Sequence, residues 1–257
     1  MKDEKEIVVD IIKKAGEILQ DGWNKKNFKI YRKGTINLVT EIDKKIEFLI
    51  IQLLKQYFPD YGILTEESKE INSKANVRWI IDPLDGTTNY IKQYPFVAIS
   101  IALEKEGELI LGVVYNPILN EMFIAQKGCG ATYNGKPIHV SKIKELGLAV
   151  LASGFPYDAW QNPDNNAKQW RQFLTRSLSL RCDGSAALDL CRVACGQLDG
   201  YWEKGISPWD VAAGIVILRE AGGIITDYLG EENFFKRGEV VAANPVLHAQ
   251  MLKVLNN

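Results

Sequence analysis

Trp79-Ile80-Ile81-Asp82-Pro83-Leu84-Asp85-Gly86-Thr87-Thr88-Asn89 sets two aspartates and a glycine directly after a run of bulky apolar residues. Val77 to Ile81 reads as a short buried strand, so both aspartates emerge at its end. Pro83 disfavours helical backbone at Asp82 and has no N–H with which to extend a ladder. Gly86 permits a tight turn, and Thr87 or Thr88 can cap a short helix whose unpaired N–H groups suit an anion. A bare D-x-x-D-G is most often a solvated turn. The strand before it and the two threonines after it turn the reading towards a functional loop.

Working outward, Ile7, Val8, Ile11, Ile12, Ala15, Ile18 and Leu19 recur at helical spacing, and a second helix is expected from about Glu41 to Tyr57. Thr40 is its N-cap and Pro59 ends it. Val97–Leu103 and Leu109–Tyr115 flank Glu104 to Glu108 as a hairpin. Met122–Ala125 reads as a further strand, before a turn at Asn134-Gly135. This half predicts helices on a largely antiparallel sheet. Beyond it, strands at about Leu148–Ala152, Leu178–Arg181, Leu198–Trp202 and Ile224–Asp227 alternate with helices near Ala167–Thr175, Ser185–Ala194, Trp209–Glu220 and Val246–Leu255. That alternation predicts an α/β layer. With no repeat and no low-complexity linker, residues 1–257 are expected as one compact unit, in which 1–140 is an α+β half and 141–257 an α/β half.

Two more acidic segments stand out. Glu66 and Glu67 follow Ile63-Leu64, which reads as a short buried strand delivering them; alone, such a pair is usually hydrated surface. Asp210 follows Trp209 in the first turn of a helix whose next residues are small or apolar, where an aspartate also serves as a cap or dipole partner. Gathered carboxylates repel one another and raise their own pKa values, and a divalent cation reverses that. Mg²⁺ takes hard oxygen ligands and leaves room for water and phosphate. Among alternatives, there is no cysteine–histidine zinc set, no G-x-S-x-G elbow and no P-loop.

The 31 Lys+Arg and 32 Asp+Glu give a formal charge of -1. No net positive field exists for direct nucleic-acid or membrane-surface binding. The charged N-terminus carries no signal-like apolar core, and no apolar run reaches membrane-spanning length, so the cytoplasm is expected. Cys129, Cys182, Cys191 and Cys195 are too few and irregular for a disulfide framework, although a bridge to Cys182 stays open.

Together these residues resemble the inositol monophosphatase family. Trp79 to Asn89 meets its W-[IV]-I-D-P-[IL]-D-G-T-T-N string and Trp209 to Gly214 its W-D-x-A-A-G string. Leu38 to Asp43, Glu66-Glu67-Ser68 and Gly184-Ser185-Ala186-Ala187 also match. The resemblance implies a layered αβαβα sandwich of α/β (α+β) class, as in sugar phosphatases of the fructose-1,6-bisphosphatase type. It also implies a homodimer, lithium sensitivity, two or three Mg²⁺ per subunit, and hydrolysis of a small phosphate monoester by metal-activated water. Inositol monophosphate, giving myo-inositol and phosphate, is the expected substrate.

Carried over by residue, Glu66, Asp82 and the Leu84 carbonyl would hold one metal. Asp82, Asp85 and Asp210 would hold the second, and Glu67 a weaker third. Thr87 with Asp43 would orient the attacking water, making Glu66, Asp43 and Thr87 the catalytic set. Gly86 and Thr87 would grip phosphate, while Asp85, Gly184, Ser185, Ala186, Glu203 and Asp210 would line the alcohol. The stretch Arg181 to Leu190 is closer to the bacterial and archaeal branch, whose members often accept fructose 1,6-bisphosphate. Arg171 and Arg176 are candidates for a second phosphate, Lys33 for charge neutralisation, and Tyr157 and Trp160 for pocket walls. A nucleotide-type 3′-phosphatase is a weaker alternative. From another class, the scaffold would serve as a regulatory binding protein of the transcription machinery.

Overall fold

The computed structural model describes residues 3–32 and 38–256. Helix α1 (Glu4–Lys25) is capped by Asp3, whose carboxylate accepts the Glu6 N–H at 2.8 Å. Its buried stripe of Val8, Ile11, Ile12, Ala15 and Leu19 faces a sheet. A short antiparallel pair, β1 (Ile30–Arg32) and β2 (Leu38–Thr40), leads into α2 (Glu41–Tyr57), where Thr40 and Asp43 form a capping box.

Next comes a seven-stranded sheet: β3 (Gly62–Thr65), β4 (Val77–Asp85), β5 (Ala98–Lys105), β6 (Glu108–Asn116), β7 (Glu121–Gln126), β8 (Ala131–Tyr133) and β9 (Lys136–Pro137). Only β3 and β4 are parallel. The short helix α3 (Thr87–Lys92) follows β4 directly. Left-handed φ values at Glu106-Gly107 and Asn134-Gly135 make the hairpin turns that the sequence suggests.

A second sheet runs β11 (Ser179–Arg181), β10 (Val150–Ser153), β12 (Gly200–Lys204), β14 (Glu239–Ala243), β13 (Ile224–Thr226). The helices of this half are α4 (Ala167–Leu174), α5 (Ala186–Ala194), α6 (Pro208–Glu220), α7 (Phe234–Arg237) and α8 (Pro245–Leu255). Here the expected β-α alternation needs correcting. β14 is absent from the sequence reading, yet it lies antiparallel between β12 and β13. All five of its residues are buried, so it shows none of the alternation that marks a half-exposed strand. The strand expected from Leu148 begins at Val150, after a 3₁₀ turn at Leu146–Leu148.

Side-chain alternation sorts the strands into layers. On β4, Trp79 and Ile81 join the core under α1 and α2, whereas Ile80 joins the core shared with α5 and α6. On the second sheet Ala152, Tyr201 and Ala242 face α5 and α6, while Leu151, Trp202 and Val241 face α4 and α8. The result is an αβαβα sandwich. Helix α6 is apolar all round because it is the filling between two sheets, with Val211 to Leu218 buried throughout.

The α6–β6 contact leaves no room for a methyl group. A β-carbon at Gly112 would strike the Ala213 carbonyl oxygen. Gly112→Ala is expected to lower stability by about 1–3 kcal/mol in denaturant unfolding, and an unchanged midpoint would contradict this packing.

Candidate active site

Residues three apart on a regular strand point to opposite faces, yet Asp82 and Asp85 serve one site. The reason is a bulge. Asp82 pairs with Ser100 and Asp85 with Ala98, so Pro83 and Leu84 together oppose Ile99. The extra residue returns Asp85 to the face that carries Asp82 and Ile80, towards α5 and α6. Pro83 suits this position, since it donates to no ladder. Beside Asp82 runs β3, whose Thr65 is in register with Ile81, so the following Glu66 comes alongside Asp82. Asp210 is the third residue of α6 and accepts the Ser207 N–H at 2.6 Å.

Asp85 and Glu66 both act electrostatically on Asp82 and on Asp210. Asp82 is 2% exposed. Burial first, then the charges of Glu66, Asp85 and Asp210, hold its carboxyl well above the ordinary range. Burial, with Asp85 and Glu66 adding to it, does the same to Asp210. Asp85 is pushed up to about 6 by burial, against donors from Ser185 Oγ at 2.6 Å and Ala187 N at 2.8 Å. Asp82 accepts the Leu84 N–H at 3.0 Å through Oδ1, and Asp210 accepts through Oδ2, which leaves each a second oxygen.

This donor set suits a hard divalent cation: several carboxylates, no imidazole, and mutual repulsion that positive charge relieves. Among the described residues no three acidic, histidine or cysteine groups already stand as close as in a formed ligand shell.

Helix α2 supports the site from behind. Asp43 Oδ2 accepts from Thr40 N at 2.9 Å and Thr40 Oγ1 at 2.5 Å, and its Oδ1 lies 3.0 Å from Thr87 Oγ1. Thr87 Oγ1 is also 3.1 Å from the Leu84 carbonyl. Burial raises the Asp43 pKa despite these donors. One turn along α2, Glu47 accepts Thr65 Oγ1 at 2.6 Å, Glu67 N at 3.0 Å and the Ser68 hydroxyl. It thereby fixes the loop that carries Glu66 and Glu67. The sequence reading gave Glu47 no role, and the only signal was its position four residues after Asp43.

The opposite side is a cavity of about 290 Å³ that includes Asp85, Gly86, Thr87, Gly184, Ser185, Ala186, Glu203 and Asp210. Asp82 and Glu66 lie outside its lining. Gly86 has φ 88°, and a β-carbon there would sit 2.9 Å from the Phe96 carbonyl, so only glycine fits. Asn89, also without a role in the sequence reading, donates to the carbonyls of Asp183 at 2.7 Å and Phe96 at 2.9 Å and joins α3 to the 183–184 turn. Glu203 accepts the Tyr201 hydroxyl and is raised to about 7, mainly by burial.

Other expected residues fall elsewhere. Arg171, on α4, and Arg176, in the turn after it, are exposed and do not line the cavity; Arg176 bonds the Gln172 carbonyl at 2.8 Å. No second-phosphate role rests on them. Trp160, 79% exposed, is no pocket wall. Tyr157 does line the cavity, and desolvation and then the charges of Glu66, Asp85, Asp210 and Asp82 raise its phenol, although 55% of the residue is exposed. Lys33 lies outside the described residues. All four cysteines are unbridged. A wider groove of about 920 Å³ between α1 and α2 contains none of these acids. Among the described residues, no helix is long and apolar enough to cross a membrane.

Layers and acids together define an αβαβα protein with an acidic centre between its two sheets, and comparison with known proteins narrows the class. The inositol monophosphatase family profile matches residues 2–257. An inositol-1-monophosphatase of Synechocystis sp. is 42% identical, covering 97% of this chain and 88% of its own. A Nus factor SuhB of Vibrio cholerae is 41% identical over 93% and 90%. The structure of an inositol monophosphatase from Anabaena (Nostoc) sp. superposes with a TM-score of 0.90 at 40% identity, covering 98% and 94%. The chain belongs to the inositol monophosphatase family.

Two outcomes test the electrostatics. Asp82, Asp85 and Asp210 bind protons more tightly folded than unfolded, so their ionisation opposes folding. In chelator, the stability they allow below their ordinary value of 3.8 is lost as pH rises through the raised values, that of Asp85 being about 6. Asp82→Asn is therefore expected to melt higher than the parent in chelator at pH 7.5, with the gap closing near pH 4. A lower melting temperature at pH 7.5 would contradict the repulsion. Separately, Glu47→Ala strands three donors and is expected to lower stability by about 3 kcal/mol in denaturant unfolding; a loss below about 1 kcal/mol would mean that the 65–68 loop is held by something else.

Proposed function

We propose that this protein is a Mg²⁺-dependent phosphatase that hydrolyses a small phosphate monoester, inositol monophosphate first, to myo-inositol and phosphate. The observation that carries this reading is the acid cluster beside the cavity: the charges of Glu66 and Asp85 raise the proton affinity of both Asp82 and Asp210. Glu66, Asp82 and the Leu84 carbonyl would hold one Mg²⁺; Asp82, Asp85 and Asp210 would hold another, so that Asp82 bridges; Glu67 would serve a weaker third. Bound there, the cations supply positive charge that acidifies water and offsets charge on phosphoryl and leaving oxygens.

The protein's own groups then position the reactants. Thr87 has a single hydroxyl proton. Given to Asp43 Oδ1, it leaves the Thr87 oxygen lone pairs turned outward, able to accept from the attacking water and fix its direction. Asp43 acts through Thr87 and is a positioning residue. Backbone N–H groups of Gly86 and Thr87 would grip the phosphate at the turn that the left-handed backbone of Gly86 makes. Asp85, Gly184, Ser185, Ala186, Glu203 and Asp210 receive the alcohol's hydroxyls. A protonated Glu203 can donate as well as accept near neutral pH, since its pKa is about 7.

A second reading, a regulatory binding protein on the same scaffold, is favoured by one observation: the Vibrio cholerae relative is named a Nus factor. Phosphate release separates the two. The phosphatase reading expects release from inositol 1-phosphate that needs Mg²⁺ and falls about a thousandfold or more in Asp82→Asn, with the fold intact by circular dichroism. Activity within tenfold of the parent would refute the bridging role. Release at background on every phosphate ester tried would favour the binding reading.

A further inference from the structure

Asp189 takes no part in the mechanism above. It lies four residues after Ser185 on α5, so both are on one helix face, Asp189 one turn further along, about 5.4 Å. Ser185 caps the helix and donates to Asp85 at 2.6 Å, which aims this face at the site. Asp189 is 1% exposed, yet it lines the cavity together with Ser185 and Glu203. Its Oδ1 is buried without a hydrogen-bond partner.

Among the described residues no group donates to this oxygen. The charged groups felt at Asp189 are Asp183, Glu203, Asp85 and Arg192. Three are acids. Arg192 is committed elsewhere, to Glu121 through Nη1 at 3.0 Å and Nη2 at 2.5 Å and to Gln197 at 2.9 Å. The Tyr201 hydroxyl, on the neighbouring strand, goes to Glu203. A buried acceptor left unpaired costs on the order of 1–3 kcal/mol, which a donor entering the cavity would relieve.

We propose that Asp189 accepts a hydrogen bond from a hydroxyl of the substrate's alcohol portion, and so makes this site selective for phosphate esters of polyhydroxylated alcohols. The proposal rests on the phosphatase reading. Asp189 and Glu203 line the same cavity as Asp85, Asp210 and the 86–87 turn, which hold the phosphate in that reading. A ring polyol carries hydroxyls besides the ester oxygen that can donate to these two carboxyls. An alkyl or aryl alcohol reaches them with none, and leaves Asp189 unpaired in the complex as well.

The test is a ratio: kcat/KM for inositol 1-phosphate divided by kcat/KM for p-nitrophenyl phosphate, whose leaving group has no such hydroxyl. Asp189→Leu is expected to lower this ratio about tenfold, the value of one hydrogen bond to a buried acceptor. Asp189→Asn keeps one acceptor oxygen and is expected to lower it about threefold, and it carries the test if the leucine variant fails to fold. A ratio unchanged in Asp189→Asn and in any folded Asp189→Leu would overturn the proposal, because a purely structural role lowers both substrates together. If the parent protein releases no phosphate at all, the phosphatase reading fails separately. The same question is then read by calorimetry, as the affinity for inositol 1-phosphate relative to inorganic phosphate with Mg²⁺ present. A fall of that ratio in the variants supports Asp189, and no change overturns it.

Discussion

Repulsion at a cluster of desolvated carboxylates is the constraint around which this molecule is built. Asp82, Asp85, Asp210 and Glu66 come from three separate stretches of chain, and the charges of Asp85 and Glu66 push both Asp82 and Asp210 towards the protonated form, while burial does the same to Asp85. Left alone, such a cluster opposes folding. A protein tolerates it where the surrounding framework is strong enough to hold like charges together, and where an external positive charge is to be received. The framework here is a helix buried between two sheets and a bulged strand packed on both faces.

Three of the site's acids are held by local devices that also complete a piece of secondary structure. Asp85 accepts the Ala187 N–H in the first turn of α5, Asp210 closes the capping box of α6, and Asp43 does so for α2. Helix termini therefore supply donors to the acids, and the acids satisfy the helix termini. Helix α2 adds a second function. Asp43 and Glu47, four apart and both buried, reach the Thr87 side and the 65–68 loop respectively, so one rigid helix sets two parts of the site relative to each other.

Much of this was legible in the sequence, for reasons that differ by element. The amphipathic helices α1 and α2 show a 3.6-residue period because one face is solvated, and the Asn134-Gly135 turn shows the residues that left-handed backbone requires. Strand β14 was illegible because burial on both faces removes the alternation by which strands are recognised. Glu66, Asp82, Asp85 and Asp210 stood out through their motifs, and their convergence follows from the bulge at Pro83-Leu84 and the β3–β4 register. Glu47, Asn89 and Asp189 did not stand out. Their roles depend on which partner the fold brings to them, and no local pattern encodes that. Arg171 and Arg176 show the converse: suitable chemistry on an exposed stretch that does not line the cavity.

What the whole account requires is that these acidic segments act as one receptor for hard cations. Calorimetric titration of the chelated protein with Mg²⁺, in parallel with Asp210→Asn, tests this most directly, because Asp210 comes from the half of the chain remote in sequence from Glu66, Asp82 and Asp85. The account predicts at least two Mg²⁺ per chain in the parent and the loss of one of them in the variant. Identical binding curves for the two proteins would contradict it.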